Sequence, residues 1–198
     1  MDSTVEALAR LGRFARAMMP TSHSADLALP AARALLADAG GPYLIVGGVA
    51  VVHHGYLRTT EDIDVLVDAA SVVTLAERAM AHGFVVESRT RLRHSESGVR
   101  VDLLVAGEPM PRPGSPSYPF PDPGRSSPID RGVAGLALLC ELKLRAHRHR
   151  DVADVVQLLQ RLDEGRYLDI EAAVPPELRP ELASLRRDAL EEDKFTAR

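Results

Sequence analysis

The segment YLIVGG at residues 43–48 decides the fold of this chain, together with DIDV at residues 62–65. The first segment is a short apolar run, typical of a buried strand, that ends in Gly47 and Gly48. Residues 49–54 follow with the composition of a helix. We therefore predict a strand, a tight turn and a helix start. Such glycines let the backbone approach a phosphate closely, and the free amides at the start of a helix bind a phosphate favourably. An ordinary strand-to-helix turn is the alternative.

The second segment places two carboxylates side by side. Successive side chains of a strand point to opposite faces, so Asp62 and Asp64 project together while Ile63 and Val65 enter the apolar layer. Adjacent carboxylates repel and raise each other's pKa unless a cation lies between them, and such oxygen ligands suit Mg²⁺ or Mn²⁺. An exposed edge of an alternating strand is the other interpretation of this pattern.

A third carboxylate lies in another predicted strand, GVRVDLLV at residues 98–105. Asp102 has apolar neighbours there, and a carboxylate buried in a sheet is costly unless it meets a cation or lies at the open end of its strand. With Asp62 and Asp64 it would complete a triad able to hold two metal ions about 3.5–4 Å apart, the arrangement used for in-line phosphoryl displacement. The three aspartates are therefore our candidate metal ligands.

The predicted fold class is α/β, of the α+β kind, with a small mixed sheet flanked by helices. Residues 1–105 form the predicted core with N-terminal helices, and residues 129–198 a C-terminal helical lobe. We expect helices at 132–147, 150–162 and 177–192 in that lobe. Residues 106–128 between the two parts contain eight prolines, so they cannot form a regular helix or a central strand. This segment is predicted to be a linker or a flap, with a passive spacer as the alternative.

These motifs resemble a known group of proteins. A strand ending in Gly-Gly, then Asp-x-Asp, then a lone strand aspartate is similar to the nucleotidyltransferase superfamily that includes DNA polymerase beta. More narrowly, GGVA at 47–50, Arg58, Thr60 and DIDV at 62–65 resemble the AbiEii and MenT-type nucleotidyltransferase toxins of bacterial toxin-antitoxin systems. KLRA at 143–146 and RDVAD at 150–154 are similar to the helical signature of that group. The resemblance covers residues 42–105 and 134–158.

The resemblance implies a metal-dependent transfer of a nucleoside monophosphate from an NTP to an acceptor hydroxyl, with release of pyrophosphate. It implies Mg²⁺ or Mn²⁺ on Asp62, Asp64 and Asp102, with Lys143 joining them as the fourth catalytic residue. An ordinary surface lysine is the alternative for Lys143. The residues expected to bind the nucleotide are Gly47, Gly48, Arg58, Thr60, Lys143, Arg150 and Asp154.

Two groups of basic residues bear on the acceptor. One crowds a predicted hairpin at residues 89–100 and the other a helix junction at residues 145–150. Both suit phosphate contacts to RNA, although solvated faces explain most runs of charge equally well. The resemblance implies a tRNA 3′ end as acceptor, a toxin that blocks translation, and a cognate antitoxin as partner. The alternatives are nucleotidylation of a small molecule such as an antibiotic, nucleotidylation of a protein hydroxyl, and a non-catalytic nucleotide- or partner-binding module.

Composition limits the remaining possibilities. The chain has 198 residues, 45% of them hydrophobic, which is enough to bury one substantial core. The net charge of −4 does not by itself call for a nucleic-acid partner. No apolar run reaches the roughly 18 residues of a membrane span, and residues 1–20 lack the pattern of a secretory signal. We expect a cytoplasmic protein that does not contact a membrane.

Overall fold

A single mixed sheet of five strands organises the molecule. The computed structural model describes residues 3–18, 24–111, 117–125, 129 and 132–196. The strand order is β1-β2-β5-β4-β3, where the two central strands β2 and β5 run parallel and all other neighbours are antiparallel. This arrangement confirms the predicted α+β class. The strands are β1 (Tyr43–Ile45), β2 (Asp62–Val67), β3 (Phe84–Ser88), β4 (Arg91–His94) and β5 (Arg100–Val105).

Helices cover the sheet and build the C-terminal lobe. Within the described ranges they are α1 (Ser3–Met18), α2 (Leu29–Ala39), α3 (Gly47–His53), α4 (Ser71–Arg78), α5 (Leu136–Ala146), α6 (His149–Gln160), α7 (Glu164–Ala173) and α8 (Arg179–Thr196). The sequence patterns did not predict α7. Its start carries a recognisable signal, because the Asp163 side chain accepts a hydrogen bond from the backbone N–H of Arg166 at 2.8 Å. None of the described helices is long and apolar enough to cross a bilayer.

The helix ends abruptly between α5 and α6, where the backbone leaves the helical conformation. His147 has a φ of 52°, in the left-handed region that a side chain seldom adopts, and Arg148 is extended. A continuous helix would have put Lys143 and Arg150 on one face, two turns apart. Instead, the two residues reach their positions from separate helices.

The two faces of the sheet are covered differently. Ile63, Val65 and Leu103 point into the main core, which contains residues from all eight helices. Leu66 on the other face belongs to a second apolar cluster with Leu138 and Leu142 of α5. Burying each such leucine contributes about 1.5–3 kcal/mol. Since Leu66 shares its face with Asp62 and Asp64, this face changes from apolar to acidic along the strand.

Part of the proline-rich segment packs on that second face. Met110 is buried in the second cluster and Phe120 packs against it. The backbone N–H of Met110 donates to Tyr118, and that of Phe120 donates to Glu108, both at 2.8 Å. The described residues 107–111 and 117–120 therefore pair as two antiparallel arms, which we name the proline hairpin. Residues 112–116 and 126–128 of the segment lie outside the described residues, and its assignment as a linker or flap stays a prediction.

Candidate functional site

Three aspartates lie together at the acidic end of the second face. The parallel register of β2 and β5 sets Asp64 opposite Asp102. Asp62 is two residues before Asp64 on the same face of the strand. One carboxylate oxygen from each residue lies within 4.8 Å of the other two. Asp62 is exposed and the other two are half-buried, so the cluster is open to solvent on one side.

Neighbouring side chains hold two of the carboxylates in place. Thr60, which is buried, donates its hydroxyl to the backbone carbonyl and the carboxylate of Asp62, both at 3.2 Å. Arg91 of β4 donates from Nε to the carboxylate of Asp102 at 2.6 Å. The hydrogen bond that Arg91 donates to Asp102 raises the pKa of Arg91, so this guanidinium stays charged. Thr60 and Arg91 thus orient the outer members of the cluster from opposite sides.

The surroundings of Asp64 disfavour its charged form. Burial, followed by the charges of Asp62 and Asp102, raises the pKa of Asp64 to about 7, against the opposing charges of Lys143 and Arg148. At neutral pH this carboxyl is therefore close to half protonated when no cation is bound. Three like charges at this spacing are unfavourable, and a bound divalent cation would remove most of that penalty.

The two glycines of the turn make room for this cluster. Gly47 has a φ of +58°, and a Cβ built there would stand 2.7 Å from Cγ of Asp64. A Cβ on Gly48 would stand 2.7 Å from Cβ of Thr60. Gly47 therefore has to be glycine because of Asp64, and Gly48 because of Thr60, independently of any ligand. Their role in cradling a phosphate stays a prediction.

Gly47→Ala should damage this region more than an equivalent change elsewhere. Gly40 is the matched control, because it has a φ of +73° with nothing within 4 Å of a built Cβ. Gly40→Ala is expected to lower the free energy of unfolding by about 1–2 kcal/mol through backbone strain alone. Gly47→Ala should cost a further 1–3 kcal/mol or so through overlap with Asp64. Urea denaturation of both variants measures the difference, and equal losses would contradict the contact with Asp64.

A cleft of about 580 Å³ lies over the aspartates, a size that suits a ligand of nucleotide dimensions. Its floor holds Asp62, Asp64 and Asp102, and its edge holds Gly47 and Gly48. The helical lobe forms the opposite wall. The cations that line the cleft are Arg58, Arg91, Lys143, Arg148 and Arg150.

Most of these cations belong to one network, the ion-pair chain Arg58–Asp154–Lys143–Asp151–Arg148. Asp154 accepts hydrogen bonds from Lys143 at 2.6 Å and from Arg58 at 3.0 Å. Asp151 accepts from Lys143 at 3.2 Å and from Arg148 at 2.6 Å. With three cations and two carboxylates, the ion-pair chain carries a net positive charge that faces the aspartate cluster.

Burial decides how the ion-pair chain behaves. Asp151, Asp154 and Lys143 are all buried, so each charge needs its partners. Burial by itself would raise the pKa of Asp151, but Arg148 and Lys143 outweigh it and hold that pKa below its ordinary value. An ammonium has three N–H donors, of which these two carboxylates engage two. Among the described residues no other side chain accepts from the third N–H, and Lys143 lines the cleft.

The residues predicted to bind a nucleotide fall into two groups. Gly47, Gly48, Arg58, Lys143 and Arg150 line the cleft. Thr60 and Asp154 do not line it, since both are buried behind residues that do. Both act on the cleft indirectly, through hydrogen bonds to Asp62, Arg58 and Lys143.

Two histidines and the cysteine do not line the cleft, and two residues that do line it had no sequence signal. His54 hydrogen-bonds to the carbonyl of Ala134 at 2.9 Å, and with His53 it lines a separate cavity. Burial raises the pKa of Cys140 to about 12, which makes its thiol a poor nucleophile. The sequence patterns did not predict Met110 and Phe120 as cleft residues, since an aperiodic proline-rich segment gives no sign of which side chains turn inward.

Carboxylates accompany many of the basic residues near the cleft. Arg93 pairs with Glu87 at 2.7 Å, and Arg100 approaches the same carboxylate at 3.6 Å. Arg150 is exposed and pairs with no carboxylate within the described part of the chain. A second cavity, of about 480 Å³, lies beside the cleft and shares Asp62, Arg91 and Asp102 with it.

No protein-family model matches this chain, and no curated protein sequence matches it. The family resemblance in the motifs therefore stays a prediction. The geometry of the aspartates, the cleft and the opposing cations is what bears on function.

Proposed function

We propose that this protein is a metal-dependent nucleotidyltransferase that moves a nucleoside monophosphate from an NTP to an acceptor hydroxyl. The observation that supports it best is the meeting of Asp62, Asp64 and Asp102 on a cleft floor opposite a cationic wall. In the reaction the acceptor hydroxyl gives its proton to solvent and its oxygen forms a bond to the α-phosphorus. The bond from the α-phosphorus to the oxygen that bridges to the β-phosphorus breaks, and pyrophosphate leaves. Carboxylates for a metal and cations for a triphosphate are the two requirements of that chemistry.

The donor set fits Mg²⁺ or Mn²⁺. Three carboxylates with oxygens within 4.8 Å of one another provide the hard oxygen ligands that these cations prefer. Asp62 and Asp64 would hold the cation that accompanies the triphosphate, and Asp102 with them would hold a second. When bound, the cations would lower the pKa of the acceptor hydroxyl and neutralise charge on the phosphates.

The remaining work falls to side chains already in position. Thr60 and Arg91 keep Asp62 and Asp102 aimed at the centre of the cluster. Lys143, held from behind by Asp151 and Asp154, presents a charge toward the cleft at little entropic cost. Arg150 is free to contact the leaving pyrophosphate. Such preorganised cations stabilise the negative charge that develops as the bond to pyrophosphate breaks.

The acceptor we propose is RNA. The second cavity continues from the aspartates along Arg91, Arg93 and Arg100, which alternate with carboxylates. Glu87 pairs with both Arg93 and Arg100, which leaves one positive charge of the two for a phosphate. Carboxylates line the same cavity, so nucleotidylation of a small cationic molecule stays the alternative.

The biological role follows from the sequence resemblance. We propose a tRNA 3′ end as the acceptor, so that modification blocks translation, and a cytoplasmic toxin restrained by a cognate antitoxin. Induced expression in a bacterial host would then arrest growth. Growth at the rate of uninduced cells would contradict a toxin role but would not contradict the transferase activity.

The decisive experiment is incubation of the purified protein with total tRNA, Mg²⁺ and each labelled NTP in turn, followed by a denaturing gel. We expect label on tRNA with the wild-type protein and none after addition of a chelator. Label on no RNA with any NTP would overturn the RNA acceptor. Parallel reactions with protein extract and with an aminoglycoside would then identify the acceptor class.

A charge-reversed variant tests the RNA surface within the same assay. Arg93→Glu with Arg100→Glu should weaken RNA binding about tenfold or more and reduce its salt dependence, because two phosphate contacts are lost. Arg13→Glu with Arg187→Glu is the control, since it changes the net charge equally at exposed helical positions. An equal loss in both variants would show that only net charge matters.

A further inference from the structure

The cleft has an apolar end that the aspartates and cations do not explain. Leu104 lies two residues beyond Asp102 on the same strand face, which is about 7 Å along the strand. Leu104, Leu139 and Leu142 line the cleft there. A ribose spans a distance of this order between the α-phosphate and the base of a nucleotide. The apolar end therefore begins where the nucleobase would lie if the triphosphate occupied the acidic end.

The proline hairpin closes that end. From its first arm Pro109, Met110 and Pro111 line the cleft, and from its second arm Phe120 does. Met110 is only 2% exposed and belongs to the second apolar cluster. Phe120 packs against that cluster but stays half-buried, so part of its ring faces the cleft. It is the one aromatic side chain among the described residues that line the cleft.

A cation–π contact holds the hairpin against α5, and an ion pair holds the residues that follow it. Glu141 is buried on α5 and pairs with Arg125, which follows the second arm. Glu141 also accepts a hydrogen bond from Arg145 at 3.0 Å, and the Arg145 guanidinium lies 4.5 Å over the ring of Tyr118 in that arm. The wall that carries Phe120 is thus fixed to the same helix that carries Lys143. Such a wall can hold a ligand in a defined position relative to the cations.

We propose that the proline hairpin forms the nucleobase subsite, with the Phe120 ring as the surface on which the base stacks and with Leu104, Leu139 and Leu142 beneath it. This inference rests on the proposed function, because it takes an NTP as the ligand. Stacking on an aromatic ring tolerates any base, since every base has a π face. The subsite therefore strengthens NTP binding without strong selection among NTPs.

The test compares ligands with and without a base by titration calorimetry in Mg²⁺. Each NTP and inorganic tripolyphosphate is titrated into the wild-type protein, Phe120→Ala and Phe14→Ala. Phe14 is the control, because it is 69% exposed on α1 and does not line the cleft. We expect Phe120→Ala to bind NTPs about tenfold more weakly than wild type. Its affinity for tripolyphosphate should be unchanged, and Phe14→Ala should match the wild-type protein throughout.

The outcomes separate this inference from the proposed function. If the wild-type protein binds NTPs no better than tripolyphosphate, the base has no subsite and the inference is overturned while the phosphate site stands. If it binds neither ligand, the proposed function fails as well. Equal losses for both ligands in Phe120→Ala would mean a disturbed cleft rather than lost stacking, and would overturn the role of the ring. The wild-type comparison needs no variant, so it holds even if Phe120→Ala does not fold.

Discussion

Asp64→Asn is expected to lower nucleotidyl transfer by a factor of about 100–1,000, the usual loss when one preorganised group that stabilises charge is removed. The amide keeps the shape of the side chain, so Gly47 and the turn need not move. It lacks the negative charge that makes the Asp64 carboxylate a strong ligand for a divalent cation held with Asp62 and Asp102. Initial rates at saturating Mg²⁺ measure the effect.

The same variant should be more stable than the wild-type protein in the absence of metal. The folded-state pKa of Asp64 is about 7, against an ordinary value of 3.8, so the folded state holds its proton over a wider pH range than the unfolded state. The contribution of this group to stability is therefore fully present below about pH 4 and is lost as pH rises to about 7. An asparagine cannot ionise, so Asp64→Asn keeps the stability that the wild-type protein loses as pH rises, on the order of a few kcal/mol.

Thermal melts in EDTA between pH 4 and pH 8 test this, with Asp169→Asn as a control at an exposed position on α7. We expect Tm to fall toward pH 8 in the wild-type and control proteins, and to fall less in Asp64→Asn. Added Mg²⁺ should raise Tm at pH 8 in the first two proteins alone. A variant with normal transfer activity would rule out Asp64 as a metal ligand in this reaction.

Asp154→Asn is expected to be strongly destabilising. Asp154 is 1% exposed and bonds both Arg58 and Lys143. Removing one partner of a buried ion pair typically costs about 3–5 kcal/mol, because the other charges stay buried without compensation. For a chain of this size the loss corresponds to a fall in Tm of about 6–20 °C.

The control is Asp188→Asn, at an exposed position on α8, which should leave Tm within about 1–2 °C of the wild-type value. Transfer activity measured well below the Tm of the variant separates two roles for Asp154. We expect it to fall because Lys143 and Arg58 lose their common anchor. An unchanged Tm with weaker NTP binding would instead indicate that Asp154 contacts the nucleotide directly.

The ion-pair chain marks the limit of inference from sequence in this protein. Arg58 and Asp154 are separated by 96 residues, and no periodicity relates them. The sequence motif placed Asp154 among nucleotide-binding residues, whereas the structure buries it behind Arg58 and Lys143. A motif records which residues occur together, but burial depends on how α5 and α6 pack. Asp151, which links Lys143 to Arg148 in the ion-pair chain, was indicated by the sequence only as part of that motif.

The amino-acid sequence by itself determined the strand, turn and helix around the glycines and the side of the strand on which Asp62 and Asp64 lie. These follow from the two-residue period of a strand and from the glycines that end β1, which are properties of neighbouring residues. Only the tertiary structure brought Asp102 beside them, because the parallel register of β5 against β2 depends on the whole sheet. It also decided that Lys143, the ion-pair chain and the ring of Phe120 face one cleft. Such convergence depends on packing between distant segments, which local sequence patterns do not encode.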